Sequence, residues 1–281
     1  MSVATNTSMN NKATISIIGC GWFGLPLGAF LVENGFFVKG STTRKEKLSH
    51  LKEHGISPFQ IKIGERLEGN RIDLFFQSEI LIINIPPGRH RSDVEKVHPK
   101  EIRKIIEKAE TGIVKKIIFV SSIGVYGNSN RIITEEDTPN PGSETGKALL
   151  QIENFLQSDN RFQTTILRMA GLVGRERKAG RFLAGKKNVQ NGAAPVNLVH
   201  WKDCIRVIYE IVNKGIWNEV FNVCSDKHPT RREFYIQQAK KQGFEPPQFL
   251  EEDNAFFKII SNEKLKKKLG FEFQYPDPSL F

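Results

Sequence analysis

The chain has 281 residues, 39% hydrophobic and 26% charged, a globular composition long enough to bury a core, which excludes a disordered or collagen-like protein. Lysine and arginine number 41 against 31 acidic residues, a formal charge of +10. An anionic partner fits that balance: a nucleotide cofactor or an anionic small-molecule substrate, favoured over nucleic acid because no zinc-finger spacing and no aromatic-basic RNA-binding motif is present.

The polar start MSVATNTSMNNK carries no apolar signal region, and no later run approaches the ~20 apolar residues of a membrane span, so a cytoplasmic protein is expected. Cys20, Cys204 and Cys224 lack paired spacing, which fits a reducing compartment and predicts small core residues rather than a metal site. Residues 1–12 read as a frayed terminus. Thr14–Gly19 (TISIIG) is a short buried strand rich in β-branched residues, and a helix follows over Gly24–Asn34, with Pro26 in its first turn and Gly35 at its end. FFVKGST is the second strand, Arg44–His54 the next helix and FQIKI the third strand. EILIINI (79–85) is a fourth strand, stopped by Pro86-Pro87-Gly88. Pro99 opens a helix carrying Ile102, Ile105 and Ile106, and KKIIFVSS (115–122) is the fifth strand.

A helix over Ser143–Gln157 and strand-like TTILRM (164–169) complete the alternation, which implies right-handed crossovers and a parallel sheet. Beyond residue 170 the pattern becomes irregular. A basic loop-rich stretch leads to VNLVH, a helix over Asp203–Lys214 capped by Asp203 and closed by Gly215, then EVFNV. Thr230 and Glu233 have capping-box spacing, and EKLKKKLG is a last short helix. The expected organisation is a Rossmann-like α/β fold with a doubly wound parallel sheet over residues 13–169, and a smaller, partly interleaved substrate lobe over 170–281.

Gly19, Gly21 and Gly24 form GxGxxG between a strand and a helix, the setting that makes the pattern a dinucleotide fingerprint. Gly19 permits the tight turn, Gly21 a close approach of pyrophosphate to backbone, and Gly24 the packing of helix on strand. Trp22 and Phe23 lie in the same loop. An NAD-preferring site places an acid at the end of the second strand; here stand Ser41, Thr42, Thr43 and Arg44. Hydroxyls followed by a guanidinium suit a 2′-phosphate, which favours NADP, with NAD the alternative. Pro86, Pro87 and Ser121, at or just beyond later strand ends, complete the expected cofactor set.

With SSIGVYG at 121–127 and the segments LRMAGLVG, NLVHWKD, EVFNVCSDKHPT and NEKLKKKLGF, the chain resembles the atypical and extended short-chain dehydrogenase/reductases, the NAD-dependent epimerases and dehydratases. The resemblance implies that Ser122 holds a reacting carbonyl or hydroxyl. It also implies a YxxxK acid/base pair at the start of the next helix. Aligned on Glu153, Thr145 takes the tyrosine position and Leu149 the lysine position, so the pair is absent. An aliphatic hydroxyl is far too weak an acid to replace a phenol, and Lys147 lies on another helix face. Tyr126 remains a candidate proton donor. Arg168, Arg175, Arg181 and His200 are candidate substrate contacts, because the resembling proteins build their substrate pocket from these segments. Two functions follow: an NAD(P)-dependent oxidoreductase or epimerase/dehydratase-like enzyme acting on a carbonyl or hydroxyl compound, anionic or a nucleotide sugar, or a dinucleotide-binding sensor without turnover.

Overall fold

A computed structural model describes residues 12–88, 92–251 and 256–281, so the expected frayed terminus lies, Lys12 excepted, outside the described residues. The chain divides into two compact units, the first running to Asn84 and including Ile105–Lys115, the second comprising Ile85–Lys104 and Lys116–Phe281. Both are α/β, and the architecture is the Rossmann-like one that the alternation predicts.

In the first unit β1 (Thr14–Ile18), α1 (Gly24–Glu33), β2 (Phe37–Thr42), α2 (Leu48–Glu53) and β3 (Ser57–Ile63) follow one another as predicted. A short β4 (Leu67–Gly69), α3 (Ile72–Phe75) and β5 (Ile80–Ile83) complete it. β1 pairs in parallel with β2 on one side and β5 on the other, β2 pairs in parallel with β3, and β4 runs antiparallel to β3. The chain therefore winds outward from β1 to β3 and then returns to β1's other flank. That reversal leaves a crevice beyond the carboxyl ends of β1 and β5, where open α/β sheets bind ligands. Ile15, Ile17, Leu27, Leu31, Leu81 and Ile82 are wholly buried in the core of this unit.

A helix α4 (Val94–Ala109) leads onward, and here the expectation needs correction. Pro99 lies inside the helix instead of opening it. Buried Val94, His98, Ile102, Ile105 and Ile106 recur at helical spacing through the proline, so packing of this face outweighs the one backbone hydrogen bond that Pro99 cannot donate.

The second unit contains β6 (Lys116–Ser122), β7 (Ile132–Ile133), α5 (Glu144–Ser158), β8 (Gln163–Met169), β9 (Gly171–Val173), β10 (Leu198–His200), α6 (Trp201–Lys214), β11 (Val220–Val223), α7 (Arg231–Lys241), β12 (Ile259–Ile260) and α8 (Glu263–Leu269). β8 pairs in parallel with β6 and with β11, while β9 with β10 and β7 with β12 form small parallel pairs. Thr230 and Glu233 make the expected capping box, and Gly215 closes α6 in the left-handed region at φ 64°. Asp203 does not cap α6, whose N-cap is His200. Its buried carboxylate accepts instead from the backbone N–H groups of Gln274 (3.0 Å) and Tyr275 (2.9 Å) and from Arg206 (3.0 Å), anchoring the last segment of the chain to α6.

Candidate functional site

The first unit carries a backbone turn shaped for a phosphate. Gly19 follows β1 at φ 101°, a conformation that needs glycine, and its N–H donates to Ser41 Oγ at 3.1 Å. The neighbouring Cys20 N–H donates to the Ser41 carbonyl at 2.8 Å, so the tip of β2 holds the turn from one side. Asn84, just past β5, holds it from the other: its Nδ2 donates to the Gly19 carbonyl at 3.0 Å and its N–H to that of Ile18 at 3.0 Å.

The three glycines divide their tasks as the motif requires. A Cβ on Gly24 would lie 2.3 Å from the Gly19 carbonyl oxygen, so the close approach of α1 to the turn admits no side chain. A Cβ on Gly21 would meet nothing within 4 Å, so the space beside the turn at the amino end of α1 is unfilled, while the Gly21 N–H itself donates to the Gly19 carbonyl at 2.8 Å. Phe23 is buried beneath the loop, and Trp22 is half-buried. Cys20 is also interior, its thiol pushed up to about 12 by burial, and so is inert.

At the tip of β2, Thr42 Oγ1 accepts from the Arg44 N–H at 3.3 Å and Gln60 Nε2 donates to the Thr43 carbonyl at 3.2 Å. Thr43 and Arg44 are exposed, and among the described residues no carboxylate pairs with Arg44. Sequence reasoning named Ser41 only among the hydroxyls at the end of β2, not as a brace of the turn, and missed Gln60 and Asn84; the signal available for Asn84 was a polar residue closing the apolar run ILIIN.

In the second unit strand register assembles a polar cluster. Ser121 of β6 stands beside Arg168 of β8, and Arg168 beside Asn222 of β11, so the three share one sheet face. Ser121 O–H donates to Glu153 Oε1 of α5 at 2.5 Å, and Arg168 donates to Glu153 Oε2 from Nε and Nη2 at 3.0 and 2.7 Å. Arg168 Nη1 donates to the Tyr126 oxygen at 2.5 Å, Tyr126 O–H donates to Asn222 Oδ1 at 3.1 Å, and the Asn222 N–H donates to Glu135 at 2.6 Å. Burial raises the Tyr126 phenol against the opposing pull of Arg168, and burial likewise raises the Glu135 carboxyl. Arg168 and Tyr126 are thus interior groups bonded to one another, and the Arg168 guanidinium, expected as a substrate contact, is engaged by Glu153 and Tyr126.

Ser122, one residue on, falls on the opposite sheet face. Its Oγ accepts from the Gly124 N–H at 3.1 Å at the start of a single 3₁₀ turn, Ile123–Val125, leaving the hydroxyl hydrogen to donate elsewhere. Thr145 is exposed in the first turn of α5, Leu149 is buried and Lys147 is exposed, so nothing in α5 takes the place of the absent pair. Pro86 is exposed and Pro87 half-buried.

Arg175 and His200 come together at the carboxyl ends of β9 and β10. Arg175, at φ 50°, lies over the Trp201 ring at 5.6 Å, and the His200 ring packs 3.7 Å from that of Tyr275. Burial lowers the His200 pKa and its Nδ1 has no hydrogen-bond partner among the described residues. Arg181 is exposed on a separate 3₁₀ turn, Ala179–Phe182.

Known proteins share this chain's sequence and fold. Protein YeeZ of Escherichia coli strain K12 is 33% identical over 267 residues, 94% of this chain and 97% of that protein. A short-chain dehydrogenase/reductase superfamily protein from Agrobacterium tumefaciens with bound NAD superposes with a TM-score of 0.76 at 17% identity, covering 95% of this chain and 94% of that one. UDP-glucose 4-epimerase from Thermotoga maritima, solved with UDP-glucose, gives 0.75 at 20% identity, covering 95% and 96%. No family model matches the chain. No described helix is long and apolar enough to cross a membrane.

Proposed function

We propose, from the premise that the chain belongs to the same family as Escherichia coli YeeZ and has the short-chain dehydrogenase/reductase fold, that it is a nicotinamide-dinucleotide-dependent enzyme acting on a carbonyl or hydroxyl compound. The observation that carries this reading is the glycine turn: open at Gly21, closed at Gly24 and braced by Ser41 and Asn84. Such a turn fits a pyrophosphate, because the amino end of α1 offers partial positive charge without a side chain in the way. The structural neighbour from Agrobacterium holds NAD, and the epimerase holds UDP-glucose. For this chain NADP is the preferred dinucleotide, since Thr42, Thr43 and the exposed Arg44 offer hydroxyls and a guanidinium where an acid would repel a 2′-phosphate.

When bound, the dinucleotide supplies or accepts hydride. The protein's part is to bind and orient. Ser122, with its oxygen satisfied by Gly124, turns its hydroxyl hydrogen to the substrate oxygen, polarising a carbonyl or anchoring a hydroxyl. The Glu153–Arg168 pair fixes the strands and helix from which that turn emerges and takes no part in proton transfer.

A screen of ketones, keto acids and nucleotide sugars, read as consumption of NADPH and NADH and run in reverse with the oxidised forms, tests the reading. Turnover that falls about a hundredfold or more in Ser122→Ala, the loss on removing one oriented donor, supports it. Turnover unchanged in Ser122→Ala removes the role of Ser122. A second reading, a dinucleotide-dependent sensor, is favoured by the exposed Thr145 and buried Leu149 where the acid/base pair is expected. Tight dinucleotide binding without turnover on any substrate supports that alternative.

A further inference from the structure

Lys258 is a cation that the sequence reading passed over, and its setting is constrained. It lies immediately before β12, on a strap held at several points. The Phe257 carbonyl accepts from the N–H groups of Ser129 and Asn130 at 2.9 Å each, and the Phe257 N–H donates to Asn130 Oδ1 at 2.8 Å. Asn197 clasps the next residues, its Nδ2 donating to the Lys258 carbonyl and its Oδ1 accepting from the Ile260 N–H, both at 2.9 Å. From this backbone the Lys258 ammonium reaches the turn that follows β6. There it donates to the Ile123 carbonyl at 3.0 Å and to the Tyr126 carbonyl.

Three features make this more than a clamp. The ammonium is half-buried, and among the described residues no carboxylate stands within ion-pair distance of it. Two carbonyl dipoles solvate the charge without neutralising it, and burial lowers the lysine's pKa. An ammonium has three N–H donors, of which two are engaged, so one remains for a partner. Finally, the turn it grips begins at Ser122, whose hydroxyl hydrogen is also uncommitted within the turn. A hydroxyl donor therefore opens the same short turn whose carbonyls the Lys258 ammonium grips, in a chain whose α5 carries leucine where the resemblance expects lysine.

We propose that Lys258 forms an anion subsite beside Ser122, and that the substrate is an organic acid whose carboxylate pairs with Lys258 while Ser122 holds its carbonyl or hydroxyl oxygen. The inference rests on the functional reading above in assigning Ser122 to the substrate. One N–H and one charge suit a carboxylate better than a phosphate, whose dianion and three oxygens call for more donors. Arg168 does not compete for this role, because its guanidinium is committed to Glu153 and Tyr126 inside the sheet.

The test is calorimetric titration of the full chain with two matched pairs, 2-oxobutanoate against butanone and UDP-glucuronate against UDP-glucose, with and without dinucleotide. In the wild type at least one acid binds about tenfold or more tighter than its uncharged partner, the gain expected of one charge-assisted hydrogen bond. Lys258→Gln abolishes that preference and Lys258→Arg retains it. No acid preference in the wild type, or a preference that survives in Lys258→Gln, overturns the proposal. If Lys258→Gln does not fold, the wild type with ¹³C-labelled lysine decides: 2-oxobutanoate or UDP-glucuronate shifts the Lys258 side-chain resonance while its uncharged partner does not, and a resonance unmoved by both acids overturns the subsite. Dinucleotide binding in the same titrations keeps the two claims apart, since its absence contradicts the functional reading while the acid preference is scored independently.

Discussion

In the first unit the ligand turn is made within Gly19–Gly24 and braced by two side chains, whereas in the second the polar cluster draws Ser121, Tyr126, Glu153, Arg168 and Asn222 from four elements and a turn. The turn works through backbone, so its chemistry is set by what glycine permits. The cluster works through side chains that strand register places side by side, so each member is held by another. The difference predicts opposite responses to substitution: the turn loses ligand affinity with little loss of fold, and the cluster loses fold.

Arg168→Met presses that contrast hardest. It leaves Glu153 charged and buried without a counter-charge, bonded only to the Ser121 hydroxyl, and urea unfolding should show a loss of about 3–5 kcal/mol. Arg168→Met combined with Glu153→Leu should recover much of that loss, because an apolar pair removes the stranded charge. Equal stability of the single variant and the wild type would show that the cluster is not structural.

Within the turn, Gly24→Ala and Gly21→Ala separate packing from binding. The Gly24 substitution forces a methyl against the Gly19 carbonyl and should cost about 1–3 kcal/mol together with dinucleotide affinity. Gly21→Ala meets open space, so the unfolding midpoint should stay put while dinucleotide affinity falls. Two glycines behaving alike in both assays would dissolve the distinction.

How much could be read from the sequence follows the same divide. The glycine turn, α1 and the capping box at Thr230 depend on residues close together in the chain, and each was legible. Glu153, Asn222 and Glu135 were not, because their roles arise from which residues register opposite Ser121 and Arg168, a long-range property. Pro99 misled because a local rule about proline was outweighed by the buried face of α4. Asp203 misled similarly: spacing suggested a cap, but the acceptors are satisfied by Gln274 and Tyr275, some seventy residues away in the chain. Of the candidate substrate residues, Arg175 and His200 meet through Trp201, a juxtaposition that no spacing in the sequence announces.

Smaller effects sharpen the account at the periphery. Thr230→Ala removes half of the capping box and should lower stability by about 1 kcal/mol, with no change in ligand binding. Asp137, held at about 2 by Arg131 and by the Thr134 N–H, is depressed below its ordinary 3.8. Its contribution is therefore present above pH 3.8 and is lost as pH falls toward about 2, so Asp137→Asn should flatten that part of the acid unfolding curve. An acid limb unchanged by the substitution would remove Asp137 from the list of stabilising carboxylates.

The central claim is that the Gly19–Gly24 turn holds a dinucleotide. Trp22 lies within it, so titrating the purified chain with NADPH and NADH while following tryptophan fluorescence reads the site directly. The account predicts saturable change with both and tighter binding of NADPH. No saturation with either, repeated with the oxidised forms and confirmed by calorimetry, would contradict it.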